Sequence, residues 1–285
     1  MPAAWRRPRS GASLCITKAR YATMIVRAEC GQLCLTEQTE HARMAAELVG
    51  WWGGVCAPVE PADAVKLAVA LHDAGWAEVD ASPQVNPDTG RPYSFLDIPQ
   101  DVHVAAHTRT VRRARQADPY AGLLTSLHSA GLYRNRYGHL PHIAQRPVAP
   151  QWREAVDRFL AEQDAVQEEL TAALRPDPAV LWTHYRWFQL WDMLSLYSCM
   201  FSPGDTPDTL LCTVPRAPGG ADITFYLQGS DAGFSVDPWP FTEDRIVLRW
   251  AARILPDRPY RSDAELQDAY ARASVVQQEI VLHPR

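Results

Sequence analysis

The stretch LAVALHDAGWAEVD, residues 67–80, carries the pattern on which the fold prediction rests. Apolar side chains recur at helical spacing up to His72, and Asp73 follows directly. We predict a helix over residues 61–74, with proline at its first position and Gly75 placed to end it. Histidine and aspartate are both metal-ligand types, so the end of this helix is a candidate site.

Helical spacing also predicts neighbouring helices on both sides of this stretch. Their predicted ranges are 36–52, 101–116, 119–133, 151–175 and 178–200. Thr39 is the expected cap of the first of these helices. Before them, MIVRAECGQLCL, residues 24–35, predicts a β-hairpin around Gly31. After Pro203 the pattern changes, and it predicts strands over 223–227, 234–236 and 246–254, a helix over 262–274 and a last strand through Val281.

These elements predict a mainly α fold, in which a helical bundle carries an N-terminal hairpin and a small C-terminal β-rich cap. We assign residues 24–203 to the helical metal-binding domain and residues 204–285 to the cap, packed on the same body. Residues 1–23 show neither helical nor strand periodicity. We interpret them as a disordered head or as sequence that precedes the true start at Met24.

Composition excludes several classes of protein. A chain of 285 residues with 47% hydrophobic content buries a full core, which excludes a disulfide-stapled module and a disordered polymer. With 33 acidic and 28 basic residues, the chain lacks the basic excess of a nucleic-acid-binding protein. No apolar run approaches the roughly 20 residues that cross a bilayer. We expect a cytoplasmic protein with a small-molecule substrate and without nucleic-acid or membrane partners; a homo-oligomer stays open.

Candidate metal ligands fall on the predicted helices in a fixed order. Asp192 is the most informative, because FQLWDMLSLY, residues 188–197, is too apolar for an unpaired carboxylate. Either a metal ion or an arginine such as Arg186 would pair it. The full candidate set is His41, His72, Asp73, His103, His128 and Asp192. Imidazoles and carboxylates suit one or two divalent ions of Fe, Mn, Zn or Ni, and the last two histidines would serve a second ion.

The order His, His-Asp, His, His, Asp on helices resembles the HD-domain superfamily of metal-dependent phosphohydrolases. It is most similar to the six-ligand subgroup, which includes cyclic-dinucleotide phosphodiesterases and di-iron oxygenases. The segments TEHARMAAELVGWWG, LAVALHDAGWAEVD, TGRPYSF, LLTSLHSAGLY, WDMLSLY and DPWPF further resemble a bacterial HD-like family known only as a domain of unknown function. The resemblance covers most of the chain from Met24 and implies an HD-type helical bundle with metal ligands at the matching positions.

This resemblance leads us to expect a hydrolase that attacks a phosphoester of a small molecule or nucleotide through a metal-activated water, with Asp73 as the catalytic carboxylate. A di-iron oxygenase acting on a small polar substrate is the alternative. A non-catalytic, metal-stabilised binding protein is the second alternative. Iron content and an oxygen requirement would separate the first two.

Two positions depart from the HD pattern or leave it open. Many HD enzymes carry a lysine that touches substrate where this chain has Trp76, so Arg109 and Arg134 become the candidates for binding a phosphate, and Trp76 for lining the pocket. His103 and His107 lie one helical turn apart, and either can reach the site. We prefer His103 as the ligand, because it precedes His128 at the spacing that the resemblance suggests, and we expect His107 to support or replace it.

Overall fold

The computed structural model describes residues 24–136 and 148–285, so the predicted head, residues 1–23, lies outside the described residues. The α-helices in these ranges are α1 (Gln38–Gly50), α2 (Ala62–Leu71), α3 (Ala77–Asp80), α4 (Gln100–Ala117), α5 (Pro119–Gly131), α6 (Arg153–Leu174), α7 (Pro178–Met200) and α8 (Asp263–Arg272). The strands are β1 (Ile25–Glu29), β2 (Gln32–Thr36), β3 (Thr209–Pro215), β4 (Asp222–Ser230), β5 (Gly233–Asp237), β6 (Ile246–Pro256) and β7 (Val275–Pro284).

The prediction of a mainly α bundle with a small β-rich cap is wrong. Seven strands form one mixed sheet in the order β1-β2-β6-β7-β5-β4-β3, so the sheet is as much a part of the fold as the helices. The N-terminal hairpin joins it through antiparallel pairing of β2 with β6, where Leu33 lies opposite Leu255. Strand periodicity reveals which residues form a strand, but not which distant strand pairs with it.

The individual helices and the hairpin were predicted more accurately than the fold class. The hairpin around Gly31 is confirmed, because β1 and β2 pair in register and Gly31 has a positive φ of 76°. Every long predicted helix is present within a few residues of its predicted ends. Strand β3 was not predicted; it forms an edge of the sheet and pairs with β4.

The central helix is α7, which brings Asp192 into the interior. Its first turn is capped by Asp177, whose carboxylate accepts the backbone N–H groups of Ala179 and Val180. Its aromatic side chains pack between the sheet and helices α1, α2 and α5, and the Trp187 indole donates to the Pro215 carbonyl of β3. Across both described ranges, no helix combines the length and apolar character that a membrane crossing requires.

Two predicted helix ends differ from the structure. Glu37, not Thr39, occupies the cap position of α1, and the N–H of Gln38 donates to the Asp80 carboxylate at 2.8 Å. Helix α2 ends at Leu71 rather than at Gly75. Gly75 lies in a following 3₁₀ turn, where a Cβ atom would overlap the backbone of α4. This glycine is therefore required for the close approach of α4 and not for ending the helix.

Candidate metal centre

Four helical segments bring five of the six predicted ligands into one buried cluster. His41 comes from α1, His72 and Asp73 follow α2, His128 comes from α5 and Asp192 from α7. Each of these residues is at most 7% exposed. Two overlapping groups hold their ligand atoms within 4.8 Å of one another: His41, His72 and Asp73, and His72, His128 and Asp192. The predicted convergence of the helices therefore occurs in the structure for these five residues.

The spacing of the ligand atoms fits a shared ion. Nε2 of His41 lies 3.0 Å from Oδ2 of Asp73, and Nε2 of His72 lies 3.2 Å from Oδ1 of Asp192. The same His72 nitrogen is 3.5 Å from Oδ2 of Asp73. Two atoms bound about 2.1 Å from one ion are separated by about 3.0 Å at a right angle and by about 3.4 Å at a tetrahedral angle. These distances are close to that range.

The hydrogen bonds of His72 explain why a cation belongs here. Its Nδ1 lies 2.7 Å from the Val69 carbonyl, which only accepts, so Nδ1 carries a proton. In the neutral ring, Nε2 then presents a lone pair towards Asp73 and Asp192. This nitrogen is buried, and it lies 3.2 Å from Oδ1 of Asp192 and 3.5 Å from Oδ2 of Asp73. A lone pair facing two carboxylates is unfavourable unless a proton or a metal ion lies between them.

The electrostatics of the cluster support the same conclusion. Burial alone would lower the pKa of His72, but the charges of Asp73 and Asp192 raise that pKa to about 9. Burial would raise the pKa of Asp192, yet the His72 charge outweighs it and lowers the pKa to about 2. Burial also lowers the pKa of His128 to about 3, which keeps this imidazole neutral. Asp192 and His128 are thus in the protonation states that metal ions bind, and at His72 a metal ion would replace the proton that the two carboxylates attract.

The chain matches a known protein family over most of its length. The family described as Protein of unknown function (DUF3891) matches residues 24–257. The chain belongs to this family. The match confirms the resemblance to a domain of unknown function; it includes all six candidate ligands and ends before α8 and β7. No curated protein and no solved structure matches the chain.

The two histidines of α4 lie beside the cluster of this DUF3891 protein and outside both ligand groups. His103 is half-buried, and its Nδ1 lies 2.6 Å from the Tyr133 hydroxyl. His107 is buried, and its Nδ1 lies 3.2 Å from Ser129 Oγ. Burial lowers the pKa of His107 to about 4, although the Asp73 charge opposes the shift. The Asp73 charge thus acts on His107, whereas His103 lies nearer to solvent.

The residues predicted to bind substrate have intramolecular partners in the structure. Arg109 donates from Nε to the Gly75 carbonyl at 3.1 Å. Arg134 binds Asp164 through two parallel hydrogen bonds of 2.7 and 2.6 Å. Trp76 is 1% exposed and packs in the core with Ile98. In this DUF3891 chain, phosphate binding by either arginine would compete with these contacts.

The arginine alternative for Asp192 is not what the structure shows. Arg186 donates to the Gln189 side chain and to the Thr213 carbonyl, while the Asp192 oxygens face His72 and His128. Sequence reasoning also missed the side chains that hold the ligands. Ser195 contacts His41, and Phe188 stacks on His128 with 4.7 Å between ring centroids. Their helical spacing from Asp192 was the available signal.

Proposed function

We propose that this protein is a metal-dependent hydrolase that acts on a phosphoester of a small molecule or nucleotide. The observation that carries the proposal is the convergence of His41, His72, Asp73 and Asp192 in one buried cluster, with donor atoms 3.0 to 3.5 Å apart. The order of these ligands along the chain supports a relationship to the HD-domain superfamily at the level of the site. The proposal concerns the ligand set and not a helical-bundle fold.

The proposed roles follow from the positions of the ligands. A divalent Fe, Mn, Zn or Ni ion held there would supply an acidified water as the nucleophile. Asp73 is the most exposed of the five ligands at 7%, so it is the carboxylate that an entering water and substrate meet first. Burial would raise the pKa of Asp73, but His72 and His41 hold it below its usual range, so the carboxylate stays ionised and able to orient that water.

The number of ions depends on Asp192 and His128. One Asp192 oxygen lies 3.2 Å from His72 Nε2, and the other lies 3.8 Å from His128 Nε2. A carboxylate with a different imidazole at each oxygen is suited to bridge two ions. We assign His41, His72, Asp73 and Asp192 to one ion. If a second ion binds, His128 and one histidine of α4 would hold it together with Asp192.

Metal analysis of the full chain, purified without added metal, tests the proposal. We expect one or two metal ions per chain in the wild type. His72→Ala and Asp192→Ala should lose most of this metal. His184→Gln is the matched control, because His184 is equally buried but its Nδ1 contacts the Tyr120 hydroxyl instead of a carboxylate. This control should retain wild-type metal content.

Activity is then measured on phosphomonoester and phosphodiester substrates such as p-nitrophenyl phosphate and its bis ester. Hydrolysis that requires the metal and is lost in Asp73→Asn supports the proposal. Two equivalents of iron together with substrate-dependent oxygen consumption would instead identify an oxygenase. A wild type that neither retains nor takes up any of the four metals would overturn the metal site and leave a binding protein as the explanation.

A further inference from the structure

Ser195 links two of the proposed ligands from a buried position on α7. It lies one helical turn after Asp192 and is fully buried. Its hydroxyl oxygen is 2.8 Å from the backbone carbonyl of Asp192 and 2.8 Å from Nδ1 of His41. The same side chain therefore contacts the first ligand in the chain and the backbone of the last.

The direction of these two hydrogen bonds follows from the chemistry of the groups. The Asp192 carbonyl only accepts, so the single hydroxyl proton of Ser195 is donated to it. Towards His41, the hydroxyl oxygen can then act only as an acceptor. Nδ1 of His41 must carry a proton to complete the bond at 2.8 Å.

This arrangement decides which nitrogen of His41 is available for a metal. Nε2 lies 3.0 Å from Oδ2 of Asp73, so with Nδ1 held protonated by Ser195, Nε2 is the nitrogen whose proton a metal ion would displace. His72 reaches the same state by a different route, because its Nδ1 donates to the Val69 carbonyl. Both imidazoles thus present Nε2 to the same group of carboxylate oxygens.

We propose that Ser195 is a positioning residue that fixes the tautomer and ring orientation of His41 for metal binding. The inference rests on the proposed metal site. Without the hydroxyl, the nearby acceptor for Nδ1 is Oδ1 of Asp192 at 3.7 Å, the oxygen that also faces His72. Loss of Ser195 then sets His41 in competition with the metal for a ligand oxygen, and the fixed tautomer is lost.

Helix α7 supplies a closely matched control. Ser198 is also fully buried, and its hydroxyl donates to the Leu194 carbonyl at 2.8 Å, but none of its described contacts is to a histidine. Ser195→Ala and Ser198→Ala remove the same atom from the same buried helix. Ser195→Thr keeps a hydroxyl and serves as the conservative variant.

The first measurement reads the protonation of His41 in the Zn²⁺-bound protein. The full chain is labelled with ¹⁵N-histidine and saturated with Zn²⁺, and the imidazole nitrogens of His41 are assigned by comparison with His41→Gln. We expect a protonated Nδ1 and a metal-bound Nε2 in the wild type, Ser198→Ala and Ser195→Thr, and loss of this single state in Ser195→Ala. An unchanged His41 signal in Ser195→Ala would overturn the inference.

The second measurement is competition for Zn²⁺ with a chromophoric chelator, since Zn²⁺ binds nitrogen and oxygen sites more tightly than Mn²⁺ or Fe²⁺. We expect Ser195→Ala to weaken Zn²⁺ affinity by about 10- to 100-fold, as removal of a group that orients a ligand does. Ser198→Ala should stay at the wild-type affinity, and Ser195→Thr should recover most of it. Equal affinities of Ser195→Ala and Ser198→Ala would contradict the positioning role.

The two proposals fail in different ways. A wild type that binds none of Zn²⁺, Mn²⁺, Fe²⁺ and Ni²⁺ overturns the hydrolase and the metal site. A wild type that binds Zn²⁺ tightly, with Ser195→Ala indistinguishable from it in both measurements, overturns only the role of Ser195. Circular dichroism of all variants identifies any loss of folding that would lower affinity indirectly.

Discussion

Two buried histidines of the helical part of the molecule have opposite acid–base behaviour. His72 and His184 are each only 1% exposed. Burial lowers the pKa of His184 to about 4, whereas the carboxylates of Asp73 and Asp192 overcome burial and raise the pKa of His72 to about 9. The two rings share the same degree of burial, so the difference comes from the groups that face them.

The two histidines differ in the charge of the side chains around them. Nδ1 of His184 lies 2.8 Å from the Tyr120 hydroxyl, a neutral partner that is compatible with an uncharged core. Around His72, ionised carboxylates converge at distances of 3.2 and 3.5 Å. Buried negative charge is costly unless positive charge compensates it, and a proton on His72 or the proposed metal ion would supply that charge.

The largest expected effect is the stabilisation of the folded protein by added Zn²⁺. At a free Zn²⁺ concentration 1,000 times its dissociation constant, we expect the free energy of unfolding of the wild type to rise by about 4 kcal/mol. Asp192→Ala should show little of this gain, and His184→Gln should show all of it. Urea unfolding with Zn²⁺ and with chelator measures the difference. Equal stabilisation of both variants would place the ion outside the proposed cluster.

The second-largest expected effect is the loss of stability that follows from protonation of His184 at low pH. His184 has a lower pKa in the folded protein than the ordinary value near 6.5, so the unfolded chain binds more protons between these values. The stabilising contribution of the neutral ring is present above pH 6.5 and is lost as the pH falls towards 4. The shift corresponds to roughly 3 kcal/mol.

His184→Gln isolates this contribution. Glutamine does not titrate, so the free energy of unfolding of the variant should fall less steeply between pH 7 and pH 4 than that of the wild type. Urea unfolding across this range, with chelator present, measures both slopes. Parallel curves for the two proteins would show that burial does not depress the His184 pKa.

The smallest expected effect concerns the neutral partner itself. Tyr120→Phe removes the hydroxyl that contacts Nδ1 of His184, so this buried nitrogen loses its hydrogen-bond partner. We expect the free energy of unfolding to fall by about 2 kcal/mol. Zn²⁺ affinity should not change. In a double-mutant cycle with His184→Gln, the two losses should sum to more than the loss in the double variant. Strict additivity would mean that the two side chains do not interact.

The sequence predicted the cluster better than it predicted the fold. Helical periodicity placed His41, His128 and Asp192 on apolar faces, and five of the six predicted ligands do converge. The third histidine stays undecided between His103 and His107, since neither lies within a ligand group. Their relative burial depends on how α4 packs, which its own spacing does not reveal.

The error in fold class has one physical origin. The hairpin of residues 24–36 and the C-terminal strands were each predicted as strands, but they were assigned to separate parts of the molecule. In the structure, Cys34 pairs with Ile254 across most of the length of the chain. Strand pairing depends on contacts between residues that are distant in the chain. Local periodicity therefore predicted the individual strands but not that they pair in one sheet.

By itself, the sequence determined that Asp192 needs a cationic partner, because a carboxylate inside so apolar a helix cannot remain unpaired. It also determined the local helices and the hairpin, whose spacing and turn residues act over a few positions. Only the tertiary structure decided that this partner group is His72 rather than Arg186, and that Ser195 holds His41. Those contacts depend on angstrom-scale packing between helices that are distant in the chain, and no local pattern encodes such distances.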